Sequence, residues 1–246
     1  MAPGAASEDR SDHGDPGVNE SGKVSEILRW LERRGTKRNR DGMARYGIVA
    51  DKVFGVSMAT MQPYAKKLGR NHELALALWD TGWLEARMLA AFVDEPERVT
   101  ASQMDRWARD FDNWAVCDTL CFKLFDRTTH AWKKVEHWSG RRDEFVKRAA
   151  FALLASVALH DRKAPDEPFT RSFRIIERES TDSRNFVKKG VSWALRSIGH
   201  RNAALNAEAT RVAKRLAESA DATARWIGKD ALKDITRPSI LKRVNR

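Results

Sequence analysis

The stretch DFDNWAVCDTLC, Asp110 to Cys121, sets Trp114 and Asp118 four residues apart, one helical turn. On a wheel at 100° per residue, Val116, Cys117, Leu120, Cys121 and Leu124 share one arc that must face a core. Asp118 lies roughly 130° from the centre of that arc, on a shoulder with Trp114 one turn before it, Phe122 one turn after and Phe125 two turns after. Large apolar groups around one acid on a helix shoulder call for a partner or a ligand. Geometry alone leaves two readings open: Asp118 pairs with an indole N–H or a cation of a neighbouring helix, or it stands at a cleft edge. Chemistry favours the cleft. A lone carboxylate beside an aromatic shelf suits positive charge developing at carbon, as in an oxocarbenium-like transition state, and electron-rich indole faces suit a cation or a sugar edge. An N-alkylated purine meets this description, because alkylation already makes the base cationic and its departure from deoxyribose needs no general acid.

The elements that must hold these residues are helices. From Val24 onward apolar residues recur at helical spacing, as with Val24, Ile27, Leu28 and Leu31, and no strand pattern interrupts them. Thr100 and Gln103 have the spacing of a capping box, and Pro96, Pro165 and Pro168 punctuate the helical runs. The chain reads as all-α, many helices with brief connections. It also repeats: Phe145, Val146, Lys147, Arg148 precede AAFALL, and 41 residues later Phe186, Val187, Lys188, Lys189 precede GVSWAL. Fainter echoes begin at Glu85 and Ala224. A period near 40 built of paired helices is that of a HEAT-like helical-repeat solenoid, whose second helices line a concave face. Lys147, Arg148, Lys188, Lys189 and Arg225 would then form a basic stripe along that face, near helix starts where phosphate is favoured.

Charge agrees with a polyanionic partner. The 246 residues carry 45 Lys and Arg against 34 Asp and Glu, a net of +11, and the acidic segment 1–22 leaves +15 on the remainder. Residues 1–22 lack large apolar side chains apart from Met1 and Val18 and read as a disordered tail. Residues 23–236 read as one solenoid domain, and RPSILKRVNR, 237–246, as a frayed basic tail. Two cysteines, Cys117 and Cys121, make no disulfide framework, and no signal peptide opens the chain, so the expected compartment is reducing and cytoplasmic. The longest apolar run, Ala149–Leu159, is too short to span a bilayer. No metal-ligand set and no nucleotide-binding glycine motif is found, so no cofactor is expected.

Trp114-x-x-x-Asp118, followed by Arg148 in FVKRAAFALL and Trp193 in FVKKGVSWALRSIG, resembles the AlkD-type DNA alkylation repair family. The likeness extends to Phe54-Gly-Val-Ser and HELALALWDTGWLEARMLA, and covers roughly 24–217. The resemblance implies a monofunctional DNA glycosylase acting on N3- and N7-alkylated purines in duplex DNA, with no requirement to flip the base into a pocket. It assigns catalysis to Asp118, sugar contacts to Trp114 and Trp193, and a phosphate contact to Arg148. An additional lesion-side aromatic of the family has no secure counterpart here, with Tyr46 and Tyr64 both available. The sequence shows no deep-pocket signature, and a solenoid with a DNA groove works as a monomer without an obligate protein partner. The alternative is a noncatalytic HEAT-like scaffold that binds DNA structures or a protein through the same stripe.

Overall fold

The computed structural model describes residues 16–245, and among them there are fourteen α-helices, one 3-10 turn and no strand. After α1 (Pro16–Arg34), α2 (Lys37–Arg45) and α3 (Met58–Leu68), the chain runs as pairs: α4 (His72–Asp80) with α5 (Leu84–Val93), then α6 (Ala101–Arg109) with α7 (Trp114–Lys123). A 3-10 turn, Phe125–Arg127, leads to α8 (Ala131–Ser139) with α9 (Glu144–His160), then α10 (Glu167–Arg178) with α11 (Asn185–Gly199), and α12 (Ala203–Ala217) with α13 (Ala222–Ile235). The last helix is α14 (Pro238–Val244). The second members form a row in which α5 packs on α7, α7 on α9, α9 on α11 and α11 on α13.

Local chemistry sets the starts. Asn71, Thr100, Asn113, Asn202 and Asp221 each precede a helix in extended backbone and accept an amide N–H of its first turn, as N-caps do. Only half of the expected capping box forms. Thr100 receives Gln103 N–H at 3.1 Å, but the Gln103 amide turns to Asp94 Oδ2 at 2.7 Å, where burial makes a charged acceptor the better partner.

The central helix is α9, whose residues from Arg148 through Ala158 are all buried. The repeated segments lie side by side, with the Phe145 and Phe186 rings 5.2 Å apart. Gly190 occupies the place of Ala149 in the repeat because α11 lies close against α9; a Cβ there would stand 3.3 Å from Phe151 Cβ.

Three expectations need correction. Helix α1 begins at Pro16, so 16–22 are helical, not tail; proline is favourable in a first helical turn, and Glu20 pairs with Lys23 at 2.9 Å and meets the Asn71 amide at 3.4 Å. Residues 1–15 lie outside the described residues. The C-terminal segment is likewise helical through α14, again opened by a proline, with Ile240 buried. Phe125 is not on the Asp118 shoulder. Helix α7 ends at Lys123, and the 3-10 turn carries Phe125 into the core against Trp107 and Trp138, at ring distances of 6.5 and 6.0 Å.

One buried acid fixes the N-terminal helices to the pairs. Glu85 Oε1 accepts the N–H groups of Gly55 and Val56 at 2.6 and 3.0 Å, and Oε2 accepts that of Phe54 at 3.0 Å. Gly55 has φ +84°, and a Cβ on it would meet Thr36 O at 2.5 Å, so only glycine suits this turn. The Phe54 and Trp83 rings stack at 3.7 Å beside it. Glu85→Ala leaves three buried donors without an acceptor and should destabilise the fold by about 3–5 kcal/mol. Glu85→Gln should also destabilise, because its NH2 meets a donor at either Phe54 or the Gly55/Val56 pair. Chemical denaturation measures both losses, and amide exchange should quicken first at residues 54–56.

Candidate functional site

The site is assembled where α7, α9 and α11 meet. Asn113 caps α7 by accepting the amides of Ala115 and Val116 at 3.0 and 3.1 Å, which aims the first turn and with it Trp114 and Asp118. Val116, Cys117, Leu120, Cys121 and Leu124 are all buried, as the wheel requires. The two cysteines serve packing, with each Sγ 3.5 Å from a carbonyl of α9, at Phe145 and Ala149. Burial among such neighbours pushes the Cys121 thiol up, so it stays protonated.

Asp118 faces Arg148 across the α7–α9 contact. The guanidinium grips the carboxylate with two bonds, Nε to Oδ1 at 2.9 Å and Nη2 to Oδ2 at 2.7 Å, and donates a third from Nη1 to the Phe186 carbonyl at 2.9 Å. This fork geometry is the strongest pairing available to the two groups. The Asp118 side chain retains 17% of its exposure and Arg148 only 8%, so the carboxylate is the member presented outward. Burial pushes the Asp118 carboxyl above its ordinary value despite the charge and hydrogen bonds of Arg148. Burial pulls the Arg148 guanidinium down, but Asp118 outweighs it and holds the group above its usual range.

The aromatics stand around this pair. Trp114 is half-buried, and its indole N–H donates to the Tyr46 carbonyl at 2.9 Å. That bond docks the loop after α2, where Gly47 at φ +74° lies so close to Phe186 that a Cβ would come within 3.3 Å of its ring. Tyr46 itself is 77% exposed, whereas Tyr64 stacks on Trp30 at 3.8 Å. Of the two tyrosines, Tyr46 is the one bonded, through its carbonyl, to Trp114. On the other side Phe122 stacks parallel to Trp193 at 4.8 Å and meets His160 edge-on at 5.5 Å. Trp193 thus reaches the Asp118 shoulder through Phe122.

The basic stripe is narrower than the repeat implied. Lys147 is not a free cation: its ammonium pairs with Glu179 at 2.6 Å and Asp182 at 3.1 Å, both from the end of the α10 segment. Arg225 turns back to the carbonyls of Ser219 and Ala220 at 2.8 and 2.6 Å, in the loop between α12 and α13. Arg148 is committed to Asp118 and Phe186 and does not point to solvent. Lys188 remains half-exposed over the Trp226 ring at 5.2 Å, and Lys189 is exposed. Neither position of the repeat signalled this difference, because the neutralising acids come from the outer helix and its loop.

The structure also opens a recess that the sequence did not announce. A cavity of about 280 Å³ lies beside Asp118 and Trp114, walled by side chains of α2, α3, α5 and α7. No described helix is long and apolar enough to cross a membrane.

The fold and site define a helical-repeat protein that presents a guanidinium-backed carboxylate within an aromatic shelf. The family model described as DNA alkylation repair enzyme matches residues 27–235, and the chain belongs to that family. A solved structure described as "A new family of proteins related to the HEAT-like repeat DNA glycosylases with affinity for branched DNA structures" superposes with TM-score 0.72 at 20% identity, over 90% of this chain and 95% of that one. It establishes the HEAT-like fold. A designed armadillo repeat protein, 14% identical over 92% of this chain and 96% of the other, superposes with TM-score 0.33, too low to bear on the architecture. No curated protein matches the chain.

Arg148→Met tests the pair by stability. Removing the cation leaves a buried carboxylate uncompensated, at a cost of about 3–5 kcal/mol above neutral pH. The Asp118 carboxyl, already raised by burial, then rises further, so the folded state takes up a proton that the unfolded state does not. The deficit should therefore shrink as pH falls through the raised folded value, and unfolding curves from pH 8 to pH 5 check it. Adding Asp118→Leu to the same chain should recover most of the loss at pH 8.

Proposed function

We propose that this protein is a DNA glycosylase that hydrolyses the N-glycosidic bond of cationic N3- and N7-alkylated purines in duplex DNA. The observation that carries the reading is Asp118, an outward-facing carboxylate between Trp114 and the Phe122–Trp193 stack, held in place from behind by Arg148. As the bond from C1′ to N9 breaks, its electron pair neutralises the alkylated ring, which leaves uncharged. Positive charge passes to the sugar, where Asp118 stabilises it and aims a water. The water oxygen bonds to C1′ and releases its proton to solvent by way of the carboxylate. Trp114 and Trp193 offer faces to the sugar and exclude bulk water around it. Tyr46 stands at the lesion edge. Arg148 acts as a positioning residue: its fork fixes the carboxylate and favours its ionised form. Lys188 and Lys189 anchor the phosphate backbone, with duplex DNA as the partner and a single chain as the working unit.

The second reading is a noncatalytic DNA-binding scaffold. It is favoured by the engagement of both Asp118 oxygens with Arg148 and draws on the branched-DNA affinity ascribed to the structural relative. Base release decides between them. Wild-type protein should free N7-methylguanine from methylated duplex DNA, and Asp118→Asn should slow release about 10²–10³-fold while leaving duplex affinity nearly unchanged. Tight binding with no release from the wild type supports the scaffold instead. For the DNA interface, Lys188→Gln with Lys189→Gln should lower the dependence of log K on log salt by about 0.9 for each phosphate no longer neutralised. Lys147→Gln should leave that slope unchanged and reduce stability, because its partners are Glu179 and Asp182.

A further inference from the structure

The recess beside Asp118 is unusual in what lines it. Four of the chain's six methionines, Met43, Met58, Met61 and Met88, form its walls with aliphatic neighbours, and Asp118 and Trp114 stand at one side. The few polar groups there already have partners. The Trp114 indole N–H is bonded to the Tyr46 carbonyl, and the Thr119 hydroxyl donates to the Ala115 carbonyl at 2.7 Å. The remaining polar side chain is the Asp118 carboxylate, bonded to Arg148 through both oxygens, which can accept further but cannot donate when ionised. A purine edge carries carbonyl and ring-nitrogen acceptors that would lose their hydrogen bonds to water on entering such a space, so the recess is not built to read a base. An alkyl or arylalkyl chain loses nothing there. The adjoining negative charge complements a cationic ring from which such a chain extends. Methionine suits guests of differing shape, because its side chain is unbranched, flexible and polarisable, and its sulfur packs well against aromatic rings.

We infer that this recess receives the apolar N-substituent of the alkylated purine, and that it selects substituents larger than methyl. The inference rests on the glycosylase reading above and names the substrate class of that site. Size supports it: an apolar cavity of about 150 Å³ is enough to hold benzene, and this one is about 280 Å³. A benzyl group would fill much of it, whereas a methyl group would leave most of the space unused. The exposed Tyr46 and Val49, 77% and 67% accessible, lie on the same loop as Ile48, which lines the recess.

The test compares release of N7-benzylguanine and N7-methylguanine from otherwise identical duplexes by wild-type protein and by Met58→Phe. Met58 is half-buried at the start of α3, so the larger ring can enter the recess without displacing the core. Wild-type kcat/KM should favour benzyl over methyl by about 10-fold or more. In Met58→Phe that preference should collapse, and Met58→Leu, of similar volume, should keep the preference. Equal release of the two bases by the wild type, or a preference untouched by Met58→Phe, overturns the inference. If neither base is released, the glycosylase reading fails on its own, and binding then decides the recess. Carbon-13 methionine-methyl spectra recorded with N7-benzylguanosine should shift at Met58, Met61 and Met88. Unchanged methionine signals overturn the recess in that case too.

Discussion

A single guanidinium ties the working part of this molecule together. Arg148 belongs to α9, its carboxylate partner Asp118 to α7, and the carbonyl it also bonds, at Phe186, to α11. Three successive helices of the inner row are thereby pinned at one buried point. A bidentate ion pair with this little exposure costs several kcal/mol in desolvation and is compensated only where both groups keep their hydrogen bonds. The third bond to Phe186 helps meet that requirement, and the Gly47–Phe186 approach and the Trp114–Tyr46 bond bring the N-terminal loop to the same place. The pair is a weak source of stability but a strong source of geometry. Its outward member is the carboxylate.

The N-terminal helices reach this point by a second buried acid. Glu85 holds the 54–56 turn against α5, and the chain before and after that turn supplies Met43, the Tyr46 loop and Met58 to the site. A helical-repeat array would otherwise expose the side of Asp118 that faces the chain start. With α2 and α3 docked, the same carboxylate borders an apolar recess on one flank and an aromatic stack on the other. That asymmetry accords with the proposed substrate, part sugar, part cationic ring and part hydrocarbon.

Much of this was legible in the sequence, and for physical reasons. Period-3.6 patterning fixed the core arc of α7 because burial of Val116, Cys117, Leu120, Cys121 and Leu124 depends on the turn of one helix alone. The 41-residue repeat of Phe145 and Phe186 marked two helices that do lie side by side. The stripe of cations was misjudged where long-range partners decide the outcome. Lys147 and Lys188 occupy equivalent places, yet Glu179 and Asp182 neutralise the first while the second rests on Trp226. Arg148 was likewise expected at a phosphate, although its buried position leaves Asp118 as its main partner. Phe125 left the shoulder because α7 stops at Lys123, a helix end that the apolar pattern ran straight through. The recess had no local signature at all, since its methionines come from three helices and only the fold collects them.

The role proposed for Asp118 is to stabilise a cationic sugar. Duplexes carrying a 1-azadeoxyribose abasic analogue, whose ring nitrogen is protonated and imitates the charge of the transition state, test this directly against a neutral tetrahydrofuran analogue of the same shape. Wild-type protein should bind the cationic duplex at least about 100-fold more tightly than the neutral one, and Asp118→Asn should remove the difference. Equal affinity of the wild type for the two duplexes would contradict it.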